Sequence, residues 1–440
     1  MIKPLLCLIA LFYSLPAPAL GLLDAYALAL RNDPTFQAAI HEHDAGQEDR
    51  NLGRAGLLPT LSYSYNNAQN QSEVSQAGQR SDRDYRSYSS LLSLQQPLFD
   101  YAAWIEYRQG VTRALMADQR LRSRSQALAV RLFQAWSQAL LAGETLALSQ
   151  AQRRAHAEQL QLNQRLFKGG EGTRTDALET QARYNLADAE TLEAQDNLDA
   201  ALQDLQALLG EPLALADLAA LRDSFRVQPL NPERFEQWRD LAVADNPELA
   251  SQRHALEVAE QEIARQRAGH LPTLSVYANT RITRSDSESS YNQRYDTDSV
   301  GLQISLPLYA GGGVQAATRK AAAAHAQASF ELDARRSALL NDLRKAFNRS
   351  ASSLAKVRAL ETADQSASRL IEATRKSIAG GERVNLDLLN AEQQHYSVRR
   401  DLAEARYGYL QAWLQLRFLS GQLAMADLEQ LAGYFGAVPP

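Results

Sequence analysis

The sequence predicts a mainly α-helical fold with a small β component, in which one unit of about 211 residues is used twice, each copy carrying two short strands and very long alanine-rich helices. Three observations predict it. RAGLLPTLS at 54–62 recurs as RAGHLPTLS at 267–275, and no proline stands between Pro97 and Pro212 or between Pro307 and Pro439. Directly after each LPTLS the apolar period changes from that of a helix to two.

The first nineteen residues read as a secretory leader: Lys3 is the positive start, Leu5 to Leu15 the apolar stretch, and Ala17-Pro18-Ala19 a small-x-small cleavage site. An N-terminal membrane anchor is the alternative, but this run is too short to span ~30 Å of hydrocarbon and is broken by Pro16 and Pro18. Cys7, the single cysteine, lies inside the leader. The chain beyond it therefore has no disulfide, thiolate metal site, thiol nucleophile or cysteine-linked lipid. No later segment approaches eighteen consecutive apolar residues, so membrane insertion would require a closed β-barrel. The balance of 46 basic and 51 acidic residues, a net charge of −5, is not that of a nucleic-acid binder.

The repeat is legible at eight landmarks in order. Besides the RAGxLPTLS pair, Pro34 matches Pro247, Gln96-Pro97-Leu98-Phe99 matches Leu306-Pro307-Leu308-Tyr309, and Gly169-Gly170-Glu171 matches Gly380-Gly381-Glu382. Asp176 falls on Asp387, Leu205 on Leu416 and Gly210 on Gly421, and ADLAAL at 216 returns as ADLEQL at 426. The first repeat then occupies 20–231, with a strand pair at about 58–98, and the second 232–440, with a strand pair at about 271–308.

Each copy opens with a helix, about Asp24 to Ala55 and Pro232 to Ala268. In the strands that follow, Leu61, Tyr63 and Tyr65 alternate with Ser62, Ser64 and Asn66, and Leu274, Val276 and Ala278 with Ser275, Tyr277 and Asn279. The returning strands alternate likewise through Leu92 and Leu94, and through Val300, Leu302, Ile304 and Leu306. Between them the sequence predicts polar loops, roughly Asn67 to Arg86 and Arg284 to Asp298, suited to bulk water. The proline-free runs come next. From Tyr101 to Phe167, at 1.5 Å per residue, a helix would be about 100 Å long, which suits a coiled-coil or tunnel wall better than a globular core. Val398, Leu402, Ala405, Tyr409, Ala412, Leu416 and Leu419 keep a 4,3 spacing. The first copy supplies Ala187, Thr191, Ala194, Leu198, Ala201, Leu205 and Leu208.

Strands with one apolar and one polar face suit a wall between lipid and an aqueous lumen; a soluble sheet packed on a helix is the alternative. Four strands cannot close a barrel, since the smallest known has about 8, so the membrane reading requires several copies to pool their strands.

These residues resemble the TolC family of outer-membrane efflux and type I secretion proteins. The resemblance covers essentially the whole chain after the leader. It is carried by the Asn-Asp-Pro and Asp-Asn-Pro turns, the two AGxLPTLS segments, QPLFD and LPLYAGGG, GGEGTRTDALETQARY, and GGERVNLDLLNAEQQHY followed by LAEARYGYLQAWLQLRFLSG. It implies a homotrimer in which three chains give four strands each to a twelve-stranded barrel in the outer membrane, continued by a helical tunnel into the periplasm. Leu213 to Asn231 and Gln422 to Pro440 would form a belt around that tunnel. The partners implied are a periplasmic adaptor (membrane fusion protein), an inner-membrane ABC or other transporter, and outer-membrane lipid. A type I protein-secretion component is the subtype it resembles most.

The resemblance also implies a gate at the periplasmic tip. Asp387 would face the axis, and the acid usual one helical turn later is here Asn390. Three copies of Asp387 would attract cations. Polar links that hold the tip shut map onto Thr175, Asp176 and Arg383, with Arg383 pairing with Asp176 across a chain boundary; the tyrosine expected opposite that aspartate is Ile378. Gly170 and Gly381 match glycines that let an adaptor approach. Read without the resemblance, Asp176 and Glu179 have capping-box spacing and need no functional role.

No catalysis, cofactor or metal site is expected. His41, His43, His156, His254, His270, His325 and His395 lack zinc-ligand spacing, and Gly311 to Gly313 lacks the Lys-Ser/Thr of a phosphate loop. The rival reading is a periplasmic coiled-coil adaptor or scaffold, which shares the heptads but ordinarily carries one hairpin and an inner-membrane anchor.

Overall fold

The computed structural model describes residues 20–287, 290–380, 382 and 385–436. The leader, Gly381 and Arg383 lie outside the described residues. The chain forms α1 (Leu22–Asn32), α2 (Pro34–Ala55), β1 (Thr60–Gln76), β2 (Gln79–Phe99), α3 (Tyr101–Gly169) and α4 (Arg174–Leu209). After β3 (Ala220–Leu221) the order repeats as α5 (Phe235–Asp245), α6 (Pro247–Arg267), β4 (Thr273–Ser287), β5 (Ser290–Ser305), α7 (Gly313–Ala379) and α8 (Asn385–Leu419). It closes with α9 (Met425–Ala432) and β6 (Phe435–Gly436). Contacts divide the chain into two compact units. One takes Arg122–Asn246 and Ser337–Pro440 together with the chain up to Ala39; the other takes Ile40–Leu121 and Pro247–Arg336.

The opening helix expected in each copy is two helices. Pro34 and Pro247 bias the preceding residue to extended backbone, and Asp33 (φ −68, ψ 113) and Asn246 (φ −65, ψ 120) adopt it. Asp33 Oδ2 then accepts from the Phe36 amide at 3.0 Å and from Arg131 Nη2 at 2.6 Å, starting α2 and tying it to α3.

In the unit that holds the strands, one antiparallel sheet has the order β1-β2-β4-β5, so the β2–β4 ladder joins the two copies. The polar stretch 67–86, expected as a loop, is instead a continuation of β1 and β2. Their ladder runs unbroken from Thr60↔Gln95 to Gln76↔Gln79, turning at Ala77 and Gly78, both at positive φ (51 and 86). Two consecutive residues of positive φ set the twist that keeps the flanking strands paired. In the second copy the described part of 284–298 is likewise strand. The helices of this unit approach closely: a Cβ on Gly110 would lie 2.3 Å from the Asp49 carbonyl oxygen. Gln109, 1 % exposed, reaches Glu262 at 3.0 Å, and Gln261 reaches Thr112 at 3.1 Å.

In the other unit α4 buries Ala187, Thr191, Ala194, Leu198, Ala201 and Leu205 as the 4,3 pattern expects, but ends on Leu209 in place of Leu208. A straight helix has 3.6 residues per turn, so a 3.5-residue stripe drifts off the buried face. α8 buries its own stripe from Val398 to Leu416 and, in addition, Ala403, Tyr407, Leu410 and Leu414, a second face that the heptad pattern does not show. Trp238, Phe235 and Ala242 of α5 pack against Leu343, Ala346 and Leu416. Both long hairpin arms stop alike: Gly210 and Gly421 sit at φ 73, where other residues are strained. ADLAAL and ADLEQL diverge, the first becoming a 3-10 turn and β3, the second α9; β3 and β6 then pair as a two-stranded sheet.

Candidate functional site

The turn between α3 and α4 is built from backbone constraints. Gly170 takes φ 79, and the amides of Glu171 and Gly172 return to the Leu166 carbonyl at 2.9 and 3.1 Å, closing the end of α3. Thr173 caps α4. Its Oγ1 accepts from the Asp176 amide at 3.0 Å and donates to Asp176 Oδ2 at 2.6 Å, while the Thr173 amide reaches the same oxygen at 3.4 Å. The capping box is therefore Thr173 with Asp176, one step upstream of the Asp176–Glu179 spacing considered from sequence. Thr175 is exposed, and a Cβ on Gly169 or Gly170 would meet no atom within 4 Å, so both glycines stand open on the surface.

The turn between α7 and α8 closes similarly, with the Gly380 amide on the Lys376 carbonyl at 3.1 Å and the Glu382 amide on that of Ser377 at 2.9 Å. Asp387 lies in the first turn of α8, half-buried, where a carboxylate complements the helix dipole. Asn390, one turn later, is exposed, and its Oδ1 accepts from Arg183 Nη2 of α4 at 3.0 Å. Among the described residues the structure thus brings Asn390 to α4, bonds Asp176 within its own turn and shows no bond from Thr175 to another of the site residues.

A polar seam accompanies the two turns. Gln159 Nε2 donates to Asn385 Oδ1 at 2.8 Å and to Asn163 Oδ1 at 3.2 Å; Asn163 Nδ2 donates to Thr180 Oγ1 at 2.8 Å, and Thr180 Oγ1 donates to the Asp176 carbonyl at 2.8 Å. Gln152 bonds Gln393 at 2.7 Å. His156 is fully buried, neither ring nitrogen has a hydrogen-bond partner among the described residues, and burial pushes it below the usual histidine range, with Glu392 raising it in part and Arg183 lowering it. Glu392 is itself buried and ion-paired with Arg375 at 2.9 Å. Sequence reading missed this seam although its signal was present: Gln152, His156, Gln159 and Asn163 keep the 4,3,4 spacing of a buried coiled-coil stripe, filled with polar residues.

The second functional surface is the sheet. Register places Leu61, Tyr63 and Tyr65 of β1, Leu92 and Leu94 of β2, Val276, Ala278 and Ile282 of β4, and Val300, Leu302 and Ile304 of β5 on one face. Val300, Leu302 and Ile304 are 81, 68 and 73 % exposed, so among the described residues nothing covers this part of the apolar face. The opposite face carries Ser62, Ser64, Ser93, Gln95, Asn279 and Gln303, with Ser93 bonded to Asn279 at 2.6 Å. Among the described residues no helix is long and apolar enough to cross a membrane.

Comparison with known proteins is consistent with this geometry. The family profile described as outer membrane efflux protein matches residues 25–211 and 238–422, one match per repeat. The chain is 56 % identical to alkaline protease secretion protein AprF of Pseudomonas aeruginosa, over 95 % of this chain and 88 % of that one. It is 50 % identical to proteases secretion protein PrtF of Dickeya chrysanthemi, over 96 % of this chain and 93 % of that one. Among solved structures, the outer membrane protein VceC of Vibrio cholerae superposes with a TM-score of 0.77 at 18 % identity, over 91 % of this chain and 96 % of that one.

Proposed function

From the premise that this chain belongs to the outer membrane efflux protein family, we propose that it is the outer-membrane exit duct of a type I secretion system whose cargo is a secreted protease. The channel role and the outer-membrane location follow from the family and from the protease-secretion relatives. The adaptor reading falls with that assignment. The observation that carries the membrane role is the sheet: one face apolar across all four strands and uncovered, the other hydroxyl- and amide-rich. At the two edges of that sheet, β1 and β5 have no further partner strand among the described residues. Three copies joined edge to edge would supply twelve strands, enough to close a barrel. The proposed homotrimer docks a periplasmic adaptor and an inner-membrane ABC transporter at its helical tip.

The proposed gate consists of Asp387, Asn390, Arg383, Thr175 and Asp176. Asp387 supplies one acidic ring, and the bond from Arg183 to Asn390 supports a neutral second position. The turn bonds of Asp176 use Oδ2, leaving Oδ1 for the guanidinium of Arg383 of a neighbouring copy. Gly170 and Gly381 are the proposed adaptor contacts; the open surface at Gly170 supports this. Detergent extraction of outer membranes tests the reading. A trimer that dissociates on heating and forms conducting pores in planar bilayers is expected. A soluble periplasmic monomer without conductance would refute it.

A further inference from the structure

Charge is segregated between the two faces of the sheet. Glu73, Asp82, Asp84, Asp296 and Asp298 all share the register of the apolar face: Asp298 stands on the rung of Tyr63 and Leu92, Asp296 on that of Tyr65 and Ile282, and the other three lie beyond the apolar rungs. On the polar face, the described side chains from Thr60 to Val74, Ser81 to Gln95, Thr273 to Thr283 and Gln293 to Ser305 include no acid and only two charges, Arg281 and Arg83. Arg83 lies out near the hairpin turn, opposite Ser72. Arg281 lies much deeper. It pairs across the ladders with Leu91 and Thr297, in register with Ser64 of β1, so it sits between the rungs of Tyr63–Leu92 and Tyr65–Ser90. It is therefore level with the outer edge of the apolar band.

The surroundings of Arg281 form a receptive surface. The side chain is exposed and borders a hollow that Leu91, Asn279, Thr283, Gln293, Tyr295 and Ser299 help to line. All of these neighbours are uncharged, and all but Leu91 carry hydrogen-bonding groups that can accompany an anion without cancelling the guanidinium. The outward acids have partners of their own: Asp298 accepts from Thr280 at 2.9 Å and Asp296 from Arg294 at 3.0 Å.

We propose that, in the barrel of the previous section, Arg281 is an anion-binding lumenal residue whose three copies form a basic ring near the outer mouth, recognising acidic stretches of the exported polypeptide. The inference rests on the proposed barrel, because only there does the polar face become the lumen. Rings of like charge in a low-dielectric wall select counter-ions, and a narrow aqueous lumen focuses the field. A guanidinium also binds carboxylates with two parallel hydrogen bonds. The ring would give the outer mouth a preference opposite in sign to that of Asp387 at the periplasmic tip.

Single-channel recording with oligoglutamate added on the outer side tests this, at about 0.1 M salt where the screening length is about 10 Å. Wild type should show oligoglutamate block and no block by oligolysine of equal length. Arg281→Gln should raise the oligoglutamate concentration for half block at least tenfold in a channel that still conducts, and Arg281→Lys should retain part of the block. Equal block of wild type and Arg281→Gln, or no block of a conducting wild type, would overturn the role of Arg281. Absence of any conductance would instead count against the channel reading on which it depends.

Discussion

At the scale of single residues, the two repeats differ by exchanges that keep each site internally consistent. In the first copy the buried Asp33 meets Arg131; in the second, the matching pair is Asn246 and Asp342, and Asn246 turns instead to the Leu419 carbonyl at 3.0 Å. The first copy makes that last bond too, from Asn32 to the Leu209 carbonyl at 2.6 Å. Swapping Asn-Asp for Asp-Asn thus removes the charge exactly where the arginine is lost. Two glutamates show the same dependence on surroundings. Burial pushes Glu144 above its ordinary value of about 4.5, partly offset by the 2.7 Å hydrogen bond from Tyr407 and by Arg406. Bonds from Arg265, Gln266 and Gln109 hold Glu262 down at about 2. The signs are opposite. A raised acid binds a proton more tightly in the folded state, so its contribution is full below about 4.5 and is lost as pH rises through the folded value; for Glu262 stability is present above 4.5 and lost toward 2. Glu144→Gln, which keeps an acceptor for Tyr407, should accordingly remove a fall in thermal midpoint between pH 4.5 and neutrality; an unchanged slope would show that Glu144 is not its source. At the proposed gate, Asp387→Ala should lower cation selectivity and divalent block in single-channel records, and unchanged selectivity would take Asp387 off the axis.

At the scale of elements, helices and strand starts were legible and strand ends were not. The heptads of α4 and α8 and the period-two onsets after LPTLS announce themselves through apolar residues, which are what periodicity can detect. From Asn67 to Arg86 both faces of the hairpin are polar, so alternation leaves no trace and the stretch reads as a loop. What keeps it paired is the turn, where Ala77 at φ 51 occupies a position that favours asparagine or glycine. Ala77→Asn should therefore stabilise the hairpin by about 0.5–1 kcal/mol, read as slower amide exchange in the outer rungs; unchanged exchange would mean the turn does not limit it. The helix stops offer a sharper contrast. Gly170 and Gly421 both have positive φ, but a Cβ on Gly170 would enter open space, whereas on Gly421 it would lie 2.6 Å from the Asp245 carbonyl carbon. Alanine should cost about 1 kcal/mol at Gly170 and several times that at Gly421, where backbone must move. Equal shifts in unfolding midpoint would contradict the tight packing of α8 on the Asp-Asn-Pro turn.

At the scale of the whole molecule, one property separates a membrane channel from a soluble helical protein: the sheet has two chemically opposite faces and, among the described residues, no apolar cover for either. Family membership assigns the membrane, but the physics is testable residue by residue, because a step of one along a strand changes the face. Leu302 and Gln303 are adjacent on β5; Leu302 pairs with Val276 on the apolar face and Gln303 with Ser275 on the polar one. Arginine at a lipid-facing position near the bilayer midplane costs about 2–4 kcal/mol, whereas lumenal positions tolerate charge. In the proposed three-chain barrel, Leu302→Arg would impose that cost three times on one assembly. Leu302→Arg should therefore leave little protein in the outer membrane, while Gln303→Arg should accumulate to wild-type level and alter only ion selectivity. If both variants insert equally well, or if both fail, the apolar face is not the lipid-facing wall, and the sheet must be covered by protein instead.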